Sequence, residues 1–235
     1  MSIAERTNTP TRQPATFGSG GGEPYARALR QNDSGSLFLH ELNHDGLTSR
    51  VTMDFAKWTA NADATDLSLL RKVTGPVLDI GCGPGRMVRA ARLLGLDVLG
   101  IDVSPTAVEV AAEEGLPVLE ASVFSDLPNE GAWQTALLVD GNIGIGGDVT
   151  AMLARCQQLL APEGEIVVEL HSDSTRDYTY TGALVDAHGA QSAEFPWAEI
   201  GLTRIVELAE PLGLQLRQAW TMGERNFCRL AATRR

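Results

Sequence analysis

The sequence predicts an α/β protein built on a doubly wound, mostly parallel sheet. Three observations carry that expectation. From Val77 onward, apolar runs of strand type alternate with amphipathic stretches of helical period. One of these runs, Val77-Leu78-Asp79-Ile80, ends in glycines at alternate positions, Gly81, Gly83 and Gly85, and Arg86-Met87-Val88 then opens a helix. An acidic residue, Asp102, follows the next apolar run about 20 residues beyond the glycines, the offset at which such a fold offers a carboxylate to ribose hydroxyls.

The glycines fit a turn that needs backbone angles disfavoured by a Cβ, and a ligand that approaches the main chain closely. A dinucleotide fingerprint spaces its glycines G-x-G-x-x-G and offers N–H groups to a pyrophosphate. Here the spacing is G-x-G-x-G, Pro84 removes one donor, and Asp79 sets a carboxylate at the mouth of the turn. A carboxylate repels a pyrophosphate and attracts a cation such as a sulfonium or an α-ammonium. The whole stretch, VLDIGCGPG over residues 77–85, resembles motif I of the class I S-adenosylmethionine-dependent methyltransferases. The resemblance runs over roughly residues 75–235. It implies a Rossmann-like sheet of seven strands with the last one antiparallel, and S-adenosyl-L-methionine as cofactor. It also implies cofactor contacts from Asp79, Gly81, Cys82, Gly83 and Gly85, from Asp102 as the acid of motif II, and from Val103 beside the adenine.

Bulk properties narrow the class further. At 235 residues, 43% hydrophobic and 21% charged, the chain has the composition of a globular domain with a sizeable core. Apolar runs stay well short of the roughly 20 residues that span a bilayer, and the start, MSIAERTNTP, lacks an apolar signal core, so a cytoplasmic protein without membrane partners is expected. Cys82, Cys156 and Cys228 are odd in number and far apart, which suits neither a disulfide framework nor a zinc site. A net charge of −11 with scattered Lys and Arg argues against a nucleic-acid partner.

Taken in order, residues 1–23 are rich in Thr, Pro, Ser and Gly and are expected to be a flexible tail. Residues 24–74 read as a cap. It holds a short helix from Glu23 to Arg30, then strands over Ser36–Leu42 and Leu47–Met53 around the hairpin signal Asp45-Gly46, then a helix over Asp63–Val73. His40-Glu41-Leu42-Asn43-His44 matches the H-E-x-x-H zinc pattern, which requires a helix with its histidines one turn apart. A strand running into a turn does not supply that, and no metal is expected.

Beyond motif I, Pro84–Leu94 is an amphipathic helix closed by Gly95, and Asp97–Ile101 is the second strand. Ser104 as N-cap and Pro105 at the first position start a helix that runs to about Glu114. Leu116–Val123 is the third strand. The family usually carries Asp where Ser122 stands, so the resemblance implies adenine contacts from Ser122, through its hydroxyl, and from Val123. Thr135–Asp140 is the fourth strand. In the following Gly141–Gly147, five residues of seven are Gly or Asn, as tight turns require and as a wall on the methionine and acceptor side would use. Asp148 caps a helix to Leu160, and Glu165–Leu170 is the fifth strand. Residues 171–196 are polar and irregular, with Tyr178, Tyr180 and Phe195-Pro196-Trp197, and read as an acceptor lid. A helix over Ile200–Leu212 and a hairpin of Leu214–Met222 with Phe227–Thr233 close the fold.

Methyl transfer from a sulfonium needs alignment and desolvation above all, and a hydroxyl acceptor adds the need for a base. His171, at the end of strand five, is the first candidate base and Asp140 the second, with Asp140 alternatively orienting the cofactor. The acidic chain and its aromatic-bearing lid favour a small-molecule acceptor, oxygen ahead of nitrogen. A non-catalytic member of the fold that binds cofactor or a partner is the alternative. Oligomeric state stays open between monomer and homodimer.

Overall fold

The computed structural model describes residues 15–18, 23–31, 37–43, 46–53 and 55–233. Its centre is β3 (Val77–Ile80), whose four residues are all buried, as a strand covered on both faces must be. Parallel neighbours flank it on both sides: β4 (Val98–Asp102) and β6 (Trp133–Leu138). β5 (Val118–Glu120) extends the sheet beyond β4, and β7 (Leu160–Leu170) beyond β6. β11 (Arg225–Ala232) runs antiparallel to β7 and to β10 (Leu214–Met222), giving the order β10-β11-β7-β6-β3-β4-β5. This is the doubly wound, seven-stranded sheet expected, with the last strand in the chain antiparallel. Because chain order reverses at β3, a crevice opens at the carboxyl ends of β3, β4 and β6.

Alternation along β3 divides the core. Leu78 and Ile80 face one layer, with Met152, Leu153 and Cys156 of α6 (Val149–Leu159) and Ile205 of α7 (Leu202–Ala209). Val77 faces the other, with Leu69 and Leu70 of α3 (Ala64–Leu70) and Met87 and Val88 of α4 (Arg86–Leu93). Each such side chain contributes about 1.5–3 kcal/mol on burial. Local signals set the helix starts. Asp63 and Asp66 form a reciprocal capping box on α3, and Ser104 caps α5 (Pro105–Glu113) through the Ala107 N–H. Asp148 caps α6 through the Ala151 N–H.

The largest departure from expectation lies in residues 171–196. They are not irregular: β8 (Asp177–Val185) and β9 (Phe195–Ile200) pair with each other, and β8 pairs with β1 (Leu37–Asn43), which pairs with β2 (Gly46–Met53). The resulting antiparallel sheet, β2-β1-β8-β9, merges cap and lid into one layer. Tyr178-Thr179-Tyr180-Thr181 favours strand locally and pairs with β9, but the following Thr181–Val185 pairs with β1, far away in sequence, and no local pattern reports that. The strand at Phe195–Ile200 also shortens the following helix, which begins at Leu202. The third strand is only three residues long, being the edge of its sheet. α1 (Pro24–Gln31) lies as expected, and α2 (Phe55–Thr59) is additional. Of the expected tail, 1–14 and 19–22 lie outside the described residues, but Phe17 is packed against Tyr25, Trp58, Phe195 and Trp197. His44 lies outside them too, and His40 sits on β1, a strand rather than the helix a zinc pair needs. No described helix is long and apolar enough to cross a membrane.

Candidate active site

The crevice beyond β3 is lined by Asp79, Gly81, Cys82 and Gly83, by Asp102 and Val103 from the end of β4, and by Ser122 and Val123 from the loop after β5. Asp140 and Asn142 after β6 complete its inner wall. Nine of the ten expected cofactor positions therefore meet in one cleft. The tenth, Gly85, is set back from the cleft: a Cβ there would lie 2.5 Å from Leu116, so its bare backbone lets α4 pack against the β5 side. Gly81 has φ +72° and a Cβ on it would stand 2.7 Å from Asn142 Nδ2. That space is used, because the Asn142 amide donates to the carbonyls of Ile80 (2.8 Å) and Gly81 (3.0 Å), tying the loop after β6 to the turn.

The backbone donors of the turn are already engaged. Gly81 and Cys82 N–H donate to Ile101 carbonyl, and Gly85 N–H to Cys82 carbonyl. Gly83 N–H donates to Asp102 Oδ2 at 2.8 Å, and Pro84 has none. A pyrophosphate would find no free N–H from residues 81–85, in contrast to a dinucleotide loop. Asp102 is braced at its other oxygen by Ser104 N–H (2.8 Å), leaving lone pairs on both oxygens for hydroxyl donors. Burial holds the Asp102 carboxyl above the usual range despite those backbone bonds.

Asp79 is the electrostatic centre. Its side chain is buried, and neither carboxylate oxygen has a hydrogen-bond partner within the protein. Burial pushes its pKa up to about 7; Arg86 opposes the rise, while Asp140, Asp102 and Asp66 add to it. An orphaned buried carboxylate costs stability unless a cation completes it, so the donor set fits a positively charged ligand.

Behind it lies a charge network that the sequence does not announce. Arg86, almost fully buried, pairs with Asp66 and with Asp140. Arg225 donates to both oxygens of Glu169 (2.7 Å each) and to Asp66 (2.7 Å). Burial alone would raise the Asp66 carboxyl, but the two guanidinium hydrogen bonds outweigh it and bring it below the ordinary value. Asp140, held at φ +54°, also pairs with Lys57 of α2 at 2.8 Å, and its N–H donates to Glu169 Oε2 at 2.8 Å. Arg225 also lies 3.7 Å from Asp140 Oδ1, so this carboxylate is held among three cations and orients its loop. His171 is exposed and outside the cleft lining, and its Nδ1 accepts from Asp173 N–H at 3.0 Å.

The outer wall is aromatic and was only partly visible in the sequence. Phe17, Tyr25, Met53, Trp58 and Trp197 line it, joining residues 15–18, α1, the end of β2, α2 and β9. Burial beside Asp102 pushes the Tyr25 phenol well above its ordinary range. Among the described residues no group of three or more His, Cys, Asp or Glu is placed to hold a metal.

Strand order, the Gly turn and the acid after β4 define a Rossmann-like domain of methyltransferase topology. Residues 77–164 match the model of a family described as a methyltransferase domain. The ubiquinone biosynthesis O-methyltransferase of Mesorhizobium japonicum is 33% identical over 97 residues, 39% of each chain. That of Cereibacter sphaeroides is 30% identical over 138 residues, 55% of this chain and 53% of its own. The match thus spans about two fifths to one half of these relatives' lengths. A crystal structure of an S-adenosylmethionine-dependent methyltransferase from Bacteroides fragilis in complex with S-adenosyl-L-homocysteine superposes with a TM-score of 0.73. It is 20% identical, over 88% of this chain and 92% of that one. Over residues 77–164 the chain is thus similar to a methyltransferase domain, and its fold is that of an S-adenosylmethionine-dependent methyltransferase.

Proposed function

We propose that the protein moves the methyl group of S-adenosylmethionine to a small-molecule acceptor, at oxygen ahead of nitrogen. The observation that carries this reading is the orphaned Asp79 carboxylate beside a turn with no donors for a pyrophosphate. When bound, the cofactor supplies a methyl group activated on a sulfonium. Asp79 would hold its cationic methionine end, and Asp102 would accept from the ribose hydroxyls. Val103, Ser122 and Val123 would flank the adenine, while the aromatic wall excludes water. Ser122 Oγ already accepts from Phe124 N–H at 3.2 Å and retains a lone pair for an amino group.

Neither named base serves well, since Asp140 is engaged by Arg86, Lys57 and Arg225 and His171 lies outside the cleft lining. The residues would then act by alignment, which favours an acceptor whose own hydroxyl is acidic enough to ionise readily. The names of the Mesorhizobium and Cereibacter relatives support oxygen as the acceptor atom, and the confined aromatic cleft supports a small molecule. Incubation with methyl-labelled S-adenosylmethionine and a small-molecule extract, read by mass spectrometry beside Asp79→Ala, tests this. A labelled metabolite that disappears with the variant is expected. Cofactor binding with no label in any extract would favour the binding-only reading.

A further inference from the structure

One ring in the aromatic wall is unlike the rest. The Phe17 side chain sits at the centre of four others. Its centroid lies 5.4 Å from Tyr25, 5.9 Å from Trp58, 5.4 Å from Phe195 and 5.6 Å from Trp197. The first three contacts are edge-to-face and the last is tilted, the geometries aromatic rings prefer. A ring at the hub of a core cluster should be its most buried member. Phe17 is instead only partly buried and lines the cleft, whereas Tyr25, Phe195 and Trp197 around it are buried at 3%, 1% and 8% exposure. The cage is held from outside itself: β9 carries Phe195 and Trp197 on one face and packs Ala198 and Ile200 into the main core with the other. Tyr25 and Trp58 stand on helices α1 and α2. Phe17 belongs to no helix or strand, and its backbone beside the cage is fixed at Gly18, at φ +73° against Tyr25 and Ser104.

We propose that the four-ring cage is the acceptor subsite and that its natural occupant is the planar aromatic ring of the acceptor. In the free protein Phe17 holds that seat as an internal surrogate. The proposal rests on the methyl-transfer reading for the word acceptor, but the cage and its occupant stand on the ring geometry alone. The cage opens on the same cleft as Asp79 and Asp102, so a seated ring would share the cleft that is read as holding the cofactor. A hydroxyl on an aromatic ring can also lose its proton to water before transfer; its oxygen then bonds the methyl carbon as the carbon–sulfur bond breaks and S-adenosylhomocysteine leaves, so no base from the cleft is needed.

The test uses the full-length protein and catechol as probe, with cyclohexane-1,2-diol as its non-aromatic counterpart and tetramethylammonium as a cationic one. Binding is measured by calorimetry in wild type, Phe17→Ala and Phe17→Leu, with S-adenosylhomocysteine affinity measured in the same samples. Expected is a gain of at least about tenfold in catechol affinity in Phe17→Ala, a smaller gain in Phe17→Leu, and loss of the gain when Trp197→Ala is added. No gain, or an equal gain for the diol or for tetramethylammonium, overturns the proposal. So does a Phe17→Ala chain that no longer folds, because the ring would then be core and not occupant. S-adenosylhomocysteine binding without the catechol gain would strike the cage alone. The catechol gain without S-adenosylhomocysteine binding would support the cage and strike the methyl-transfer reading.

Discussion

The two walls of the cleft are built in opposite ways. The inner wall has a local centre: β3, its turn and the start of α4 place Asp79, Gly81, Cys82, Gly83 and Arg86 within ten consecutive residues, and the ends of the parallel strands beside β3 complete it. The outer wall has no such centre and is assembled from residues 15–18, α1, the end of β2, α2 and β9, which meet only in the folded chain. A wall built on one turn and the ends of neighbouring parallel strands keeps its chemistry under the sheet's own constraints, and its central charges are buried. A wall made by separate segments outside that sheet offers apolar surface that can be repacked without disturbing it. The first suits an invariant cofactor and the second an acceptor that differs between proteins of one fold.

The comparison can be broken at the joint between the walls. Gly144, in the 3-10 turn Asn142–Gly144 after β6, lies so close to β9 that a Cβ would fall 2.0 Å from the Ala198 carbonyl oxygen. Gly144→Ala must push the outer sheet off the inner one, and a loss of roughly 3 kcal/mol or more is expected in chemical denaturation. An unchanged midpoint would mean that the two sheets are not rigidly joined there.

Asp79→Asn probes the inner wall alone. The folded-state pKa of Asp79 is about 7 against an ordinary 3.8. The folded state therefore holds its proton over a range in which the unfolded state has lost it, and wild-type stability falls as pH rises from about 4 to about 7. The neutral variant escapes that penalty. At pH 8 it should be the more stable protein, by about 4 kcal/mol at most, with the advantage shrinking steadily as pH falls toward 4. It should also lose cofactor affinity. A variant that is less stable at pH 8 would show that Asp79 is not a desolvated charge.

Asn142→Ala removes two hydrogen bonds to β3 and its turn. It should cost about 1–2 kcal/mol and loosen the inner wall, visible as faster amide exchange in residues 139–147. The smallest effect belongs to His171→Ala. With His171 exposed and outside the cleft lining, its replacement should leave methyl transfer within about twofold and its pH profile unmoved. A lost acidic limb would restore it as a base.

The same contrast explains what could be read from residues alone. The order of strands and helices from Val77 to Leu170 and the caps at Ser104 and Asp148 follow from periodicity and capping, and the nine cleft positions from one Gly-rich motif, the acid after β4 and the family resemblance they carry. The β8–β1 pairing was invisible because its hydrogen bonds join Phe38–Leu42 to Thr181–Val185, and strand propensity says nothing about which partner a strand takes. Phe17 lay inside a stretch whose Gly and Ser content outweighed a single apolar ring. Arg86 carried one unused signal. A guanidinium immediately after the Gly turn, on a helix packed between layers, has to be buried and must therefore find carboxylates, which Asp66 and Asp140 supply. Nothing short of the fold links those two acids.

The central claim is that Asp79 is a desolvated carboxylate prepared for a cation. Calorimetric titration of S-adenosylhomocysteine, which carries the α-ammonium, from about pH 5.5 to about pH 8.5 tests it most directly. Because binding requires the ionised carboxylate, affinity should rise about tenfold per pH unit up to about 7 and then level off. Below that point about one proton should be released per ligand bound. Affinity that is flat across the range, with no proton released, would contradict the account.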